Sequence, residues 1–368
     1  MGNGGWPMSI VATLGRRLAK GIRRSMPLSL YPYWIPRDVI GVFYHSVSDQ
    51  RLPYIQHLYP PEPVSRFEAA LRYIKQHYHP VTDADVLAHR IEGKSLPSRA
   101  LHLSFDDGFA ECYTVARQLL QQHGIPCTFF VTSGWVDNQN MFYRNKVSLC
   151  VESVSQLPHD AARMVFTSLN NAVDTKLTST HDFEVWIKSL EPHDEPVIDM
   201  AAKMLGIDTR DYLQNQKPYM TREQIRELHD AGFTIGAHSR SHTKLSLLSP
   251  DQIEDEIVES ARFVQEITGA DRVPFSFPYS STGTDRNLLA AIPQRHPFLG
   301  LFYDTMDLRQ DEPFIVNRIW AEKSAYRKAG RKTNLPALLH AAYRAEAYAA
   351  MRGWRGAGEE DIHREEPG

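Results

Sequence analysis

An α/β fold built on a largely parallel sheet is predicted by three observations. Short apolar segments rich in β-branched and aromatic residues recur along the chain, and amphipathic helical patterns separate most of them. Strand and helix alternating in this way imply parallel strands joined by helical crossovers. The length of 368 residues suits one α/β barrel of about 250 residues with insertions as well as it suits two to three domains. With 42% hydrophobic and 23% charged residues there is material for a large core and no compositional case for disorder. A formal net charge of −3 supplies no basic field, so nucleic acid is not an expected partner.

The elements follow in order. Residues 9–26 carry five basic residues and no acidic one. On a helical wheel Ile10, Val11, Leu14, Leu18, Ile22 and Met26 fall in one half, and Arg16, Arg17, Lys20, Arg23 and Arg24 in the other. Such a helix either makes peripheral contact with an anionic membrane or docks its apolar half on the main domain. The run from Val39 to Tyr44 reads as a buried strand, residues 63–78 as a helix, and "ALHLSFDDG" as the next strand. Residues 109–123 read as a helix closed by Gly124, and "PCTFFVT" as a further strand. Residues 138–217 break this rhythm with a polar, helical pattern and are expected to form an insertion beside a site. Thr221 and Gln224 then open a helix with a capping-box pattern. "FTIGAHS", a helix after Ser249-Pro250, "VPFSFPYS" and "FLGLFYDT" complete the alternation. The expected division is an extension at 1–37, a domain at 38–325, and a helical extension with a polar tail at 326–368.

Cys112, Cys127 and Cys150 have no CxxC spacing, which argues against a disulfide framework or a thiolate zinc site. No stretch approaches the ~20 apolar residues of a membrane span. Arg16, Arg17 and Lys20 interrupt any signal-peptide pattern, so the expected location is the cytoplasm, with possible contact at the inner membrane face through residues 9–26.

Two clusters carry chemistry. Asp106-Asp107-Gly108 ends an apolar strand, where α/β folds place their sites. The structural alternative is a turn in which Asp caps a helix and Gly takes a strained backbone angle. His238 and His242, in "HSRSH" after another strand, converge on one side if the segment turns helically. Two imidazoles and a carboxylate make an open three-ligand site for zinc or a similar first-row ion. Each cluster alone has a bland reading; together they point to a site.

"LSFDDGF" resembles the first motif of the NodB-like polysaccharide deacetylases (carbohydrate esterase family 4), and "HSRSH" resembles their HSxxH motif. The likeness spans residues 38–320, and the flanks "GIPCTFFVTSGW" and "GFTIGAHSRSHTKLSLL" share it. It implies a distorted (β/α) barrel with one divalent metal, held by Asp107, His238 and His242. Asp106 is implied as general base and the backbone N–H of Tyr279, in "FSFPYSSTG", as oxyanion donor. An arginine usually found ahead of that tyrosine is missing: position 275 is Phe, and Arg272 lies too far upstream.

The late histidine expected as general acid has one candidate, His340, in a helical context. In a permuted branch, the poly-N-acetylglucosamine deacetylases, the acid-bearing strand comes first, and "IGVFYHSVSD" resembles it; His45 is the preferred acid. Arg318 in "VNRIW" is a candidate for substrate binding or carboxylate pairing. Asp304 and Asp307 are candidates for orienting the site, and Trp135 and Tyr143 for stacking on sugar.

The expected activity is metal-dependent removal of an N-acetyl group from an amino sugar in a glycan, a lipid-linked glycan or a sugar nucleotide. An O-acetyl esterase or deformylase would use the same residues. A non-catalytic module binding glycan or a partner is the alternative from another class.

Overall fold

The computed structural model describes residues 28–322 and 334–351. The basic segment at 9–26 lies outside the described residues, as does the polar tail. Among the described residues there are eight parallel strands: β1 (Val39–Tyr44), β2 (His79–Pro80), β3 (Ala100–Phe105), β4 (Thr128–Val131), β5 (Thr234–Ala237), β6 (Val273–Ser276), β7 (Leu299–Asp304) and β8 (Ile315–Trp320). Seven of them close a barrel in the order β1-β8-β7-β6-β5-β4-β3, because β1 pairs with β3 as well as with β8. The two-residue β2 extends the edge of β3 at Ala100 and Leu101, and β4 pairs further along at Ser104 and Phe105. The expected α/β barrel is therefore present, with one more short strand than the sequence pattern revealed.

Helices α1 (Val64–His77), α2 (Asp83–Glu92), α3 (Arg117–His123), α9 (Arg222–Asp230), α10 (Pro250–Thr268) and α11 (Arg286–Arg295) accompany the barrel. Local chemistry sets several boundaries. Thr221 and Ser249 cap α9 and α10 through capping boxes with Gln224 and Gln252, satisfying N–H groups that have no partner inside the helix. Gly124 ends α3 in the left-handed region, which a residue without Cβ adopts at low cost. A wider helical turn at Cys112–Ala116 leads into α3.

Period-two alternation sorts the strands into two faces. Leu101, Leu103 and Phe105 of β3 join the core beneath the helices. His102 and Ser104 face inward: the His102 ring stacks on Tyr303 of β7, and Ser104 meets Arg318 of β8. The same parity brings Asp106 to the carboxyl-terminal mouth of the barrel, where its N–H donates to the Tyr44 carbonyl.

The insertion contains α4 (Tyr143–Gln156), α5 (His159–Val173), α6 (Thr180–Lys188), α7 (Glu195–Met204) and α8 (Thr209–Gln216). It has its own apolar core around Val147, Cys150, Phe166, Phe183 and Ile198, separate from the barrel core. Helix α12 (Leu335–Met351) belongs to the expected C-terminal extension, yet Leu335, Leu338, Leu339 and Tyr343 join the barrel's own core. Its His340 lies against the Tyr31 ring, and Tyr31 in turn stacks on Tyr343. No described helix is long and apolar enough to cross a membrane.

Candidate active site

The two adjacent aspartates have different surroundings. Asp106 is 2% exposed and receives a bidentate pair from Arg318, Nη1 to Oδ1 and Nη2 to Oδ2, both at 2.8 Å. The Ser276 hydroxyl adds a contact to Oδ2 at 3.2 Å. Burial pushes the Asp106 carboxyl up, but the Arg318 charge and hydrogen bonds prevail and hold it below the ordinary range. It is ionised at neutral pH, as a proton acceptor must be.

Arg318 is wholly buried, and its guanidinium also donates to Ser104 Oγ at 2.9 Å and Ser276 Oγ at 2.6 Å. Phe43 lies under it at 4.5 Å. The substrate-binding role considered for Arg318 is thus replaced by carboxylate pairing inside the barrel. An arginine from β8 thus braces Asp106, while Phe275 occupies the position where the resemblance implies one. Gly41 makes room for it: a Cβ there would sit 2.6 Å from both Arg318 Cγ and the Asn317 carbonyl.

Asp107 takes φ +74° and Gly108 +77°, a left-handed pair that Asp and Gly tolerate better than other residues. Asp107 Oδ1 lies 3.4 Å from His238 Nε2 and 3.3 Å from His242 Nε2. The three donors fall within 4.8 Å of one another, and all three residues are buried. The histidines do not converge through a helical turn. Residues 238–244 form a loop in which Ser239 and His242 both have φ +59°. Glu256 of α10 fastens it by accepting from the N–H groups of Arg240 and Ser241, at 2.8 and 3.0 Å, and Ser239 Oγ accepts from the His242 N–H at 2.9 Å. Gly134 lets the next loop pack closely, since a Cβ there would meet the Arg240 carbonyl at 2.5 Å.

The donor set fits a divalent cation. His238 Nδ1–H donates to the Ser276 carbonyl at 2.9 Å, which leaves the Nε2 lone pair directed at Asp107. Asp107 Oδ1 is buried without a hydrogen-bond partner. Burial raises the Asp107 carboxyl, but the adjacent His238 and His242 rings bring it well below the usual range; burial also keeps His242 low. A carboxylate oxygen and two imidazole nitrogens suit zinc or a similar ion. Trp135 and Phe142 wall His242, with ring centroids at 5.3 and 4.9 Å.

His45 follows β1 at the same mouth. Its Nδ1 lies 2.8 Å from Glu322 Oε2, which also accepts from the His45 N–H at 2.8 Å. The other Glu322 oxygen accepts from the Ser46 N–H at 3.0 Å. Burial alone would lower the His45 pKa; Glu322, followed by Asp107 and Asp106, raises it to about 9. Glu322 escaped sequence reading although it carries the same signal as Asp106, a carboxylate just beyond an apolar strand. Ser276, Glu256 and Tyr59 were missed as well, because nothing about an isolated Ser, Glu or Tyr marks it as a partner.

Tyr279, with φ +59°, places its ring 5.0 Å from His242, while its carbonyl accepts from Thr305 Oγ1. Its side chain adjoins Tyr143 and Arg144 of the insertion, which makes Tyr143 a wall residue. Asp304 accepts from the Ser281 N–H and hydroxyl and from the Thr305 N–H, so it braces the loop carrying Tyr279. Asp307 instead lines a separate cavity of about 410 Å³ with Arg37 and Arg90. Asp106, Asp107, His238, His242, His45 and Tyr279 share one mouth, and His340 is elsewhere.

Fold and site together define an α/β-barrel protein with Asp106 and His45 beside a buried Asp-His-His group at the barrel mouth. Comparison with known proteins gives that class a family. The polysaccharide deacetylase family model matches residues 93–173 and 197–294, across both motif regions. The poly-beta-1,6-N-acetyl-D-glucosamine N-deacetylase of Escherichia coli K12 is 27% identical over 109 residues, 28% of this chain and 15% of that protein. The alignment thus spans a small part of that relative's length. Among solved structures, Streptococcus pyogenes deacetylase PplD in complex with acetate aligns with a TM-score of 0.49 at 14% identity, covering 77% of this chain and 92% of that one. IcaB from Ammonifex degensii aligns with a TM-score of 0.48 at 17% identity, covering 82% and 97%. The chain belongs to the NodB-like polysaccharide deacetylase family.

Proposed function

We propose that this protein hydrolyses the N-acetyl amide of an amino sugar within a glycan or glycan precursor. The observation that carries the reading is the pairing of an ionised, arginine-braced Asp106 with a protonated, Glu322-backed His45 around one cation site. Amide hydrolysis needs both: a base to take a proton from water, and an acid to protonate the departing amine.

Asp107, His238 and His242 would hold the cation. Bound there, a zinc-like ion would supply Lewis acidity toward the acyl oxygen and acidify a water. Asp106 takes the proton of the attacking water at its carboxylate, and Arg318 keeps that carboxylate ionised until it does. The Tyr279 N–H is assigned to the developing oxyanion, as the resemblance implies. His45 delivers its proton to the amine nitrogen, and Glu322 holds the ring's orientation and charge. Trp135, Phe142 and Tyr143 line the metal side and limit water there. The intact acid–base set favours a hydrolase over a non-catalytic module.

The test is acetate release from N-acetylglucosamine oligomers, with metal content measured on the same samples. We expect about one equivalent of zinc-like metal in wild type, its loss in His242→Ala, and a ~10²–10⁴-fold lower rate in Asp106→Asn with metal retained. Metal-loaded wild type releasing acetate from O-acetyl but not N-acetyl sugars would replace this reading with the esterase. Failure to bind metal at all would end it.

Peripheral contact with an anionic membrane from the cytoplasmic side is a second, separate proposal. Tyr33 and Trp34, 78% and 70% exposed, lie a few residues beyond the basic segment in sequence and are residue types suited to a membrane interface. Sedimentation with anionic vesicles should be lost on deleting residues 1–26; unchanged sedimentation would remove the proposal.

A further inference from the structure

We propose that Tyr59 is a positioning residue for the cation site, and that the helical insertion acts on the site by holding the loop that carries it. The inference rests on the metal-dependent reading above and goes beyond it by assigning the insertion a task.

Three observations converge on Tyr59. Its hydroxyl donates to Asp107 Oδ2 at 3.0 Å. The other oxygen, Oδ1, faces His238 and His242 and has no hydrogen-bond partner. The carboxylate is thereby divided: one oxygen is occupied by Tyr59, and the other stays available to a cation. The Tyr59 ring also lies 4.7 Å from the His45 ring and 5.9 Å from Trp320, so one side chain touches both the ligand and the proton donor.

The loop it belongs to, residues 46–62, contains no helix or strand of its own. Its neck is closed by the bridge between Val47 and Glu62. Its body is fastened to α4. Asn145 Nδ2 donates to the Tyr54 carbonyl at 2.9 Å, Ser148 Oγ donates to the Pro53 carbonyl at 2.6 Å, and the His57 N–H reaches Ser148 Oγ at 3.2 Å. Arg51 and His57 converge on Glu152 at 2.5 and 2.7 Å. Leu52, Tyr54 and Ile55 share an apolar cluster with Leu149 and Leu213 of the insertion. The line of contact therefore runs from α4 through the loop to Tyr59 and on to Asp107. A hydrogen bond to a ligating carboxylate fixes its orientation, and losing such a partner typically lowers metal affinity roughly 10–100-fold.

The experiment uses the full chain loaded with cobalt(II), whose visible absorption reports ligand geometry. Cobalt affinity is read by competition with a chelator, and acetate release is followed alongside. Tyr59→Phe keeps the ring and removes the hydroxyl. The proposal expects a roughly 10–100-fold weaker cobalt affinity, an altered absorption band, and a lower kcat at saturating metal. Ser148→Ala, which loosens the loop and leaves Tyr59 intact, should move cobalt affinity in the same direction by less. Tyr59→Phe with wild-type affinity and spectrum would overturn the positioning role. Ser148→Ala identical to wild type would overturn the insertion's part in it. Wild type that binds no cobalt would overturn the functional reading itself, an outcome distinct from the other two.

Discussion

The two halves of the site are held by different parts of the molecule. Asp106 is held from inside the barrel: Arg318, Ser104 and Ser276 come from strands β8, β3 and β6 and are wholly buried. His45 and Asp107 are held from above, by Glu322 just beyond β8 and by Tyr59 on a loop clasped to the insertion. Groups inside a closed barrel cannot be disturbed without disturbing the fold, because the low-dielectric interior leaves an unpaired charge no solvent. Groups at the mouth can be altered with the barrel intact. Substitutions on the inner side should therefore read as stability, and those on the outer side as activity.

The largest effect tests the inner side. Arg318→Met leaves the Asp106 carboxylate buried and unpaired, a change expected to cost about 3–5 kcal/mol in denaturant unfolding and to abolish activity. A loss under 1 kcal/mol would mean that Asp106 is not held from inside. Next comes Gly41→Ala, which presses a methyl group onto Arg318 Cγ and the Asn317 carbonyl. Overpacking of this kind should cost about 1–3 kcal/mol in the same measurement, with activity falling because the arginine is displaced.

Glu322→Gln sharpens the other side and should have the smallest effect on folding of the three. Removing its charge lowers the His45 pKa, so the alkaline limb of kcat/KM should move about one to three pH units lower. In wild type the His45 pKa is raised from 6.5 to about 9. Its contribution to stability is therefore fully present below pH 6.5 and lost as pH rises through 9. The stability difference between wild type and Glu322→Gln should shrink across that window. A cation seated at Asp107 offsets part of the carboxylates' influence, which places the limb of the loaded protein below 9. An unmoved limb would reassign the proton donor.

Much of this was legible in the sequence where chemistry and position coincide. Asp106-Asp107-Gly108 and His238…His242 each follow an apolar strand, and strand ends are where parallel barrels expose functional groups. His45 was found by the same logic together with the resemblance. For Arg318 the sequence allows two roles, because a lone arginine in a strand says nothing about which carboxylate it will meet. Its partner lies 212 positions away. The expected helical convergence of the two histidines was replaced by a loop held by Glu256, since two left-handed residues bring the rings together without any helical turn.

What the sequence determined by itself was local: hydrophobic periodicity set the strands and helices, capping residues set several helix ends, and two short motifs marked Asp106, Asp107, His238 and His242. Those signals are written in neighbouring residues, so they can be read without knowing the fold. Tertiary structure alone decided which partners complete the site. Closing β1 onto β3 and β8 brought Arg318 beneath Asp106, and docking of the insertion brought Tyr59 to Asp107. Those pairings join residues far apart in the chain, where the sequence holds each group but not the distance between them.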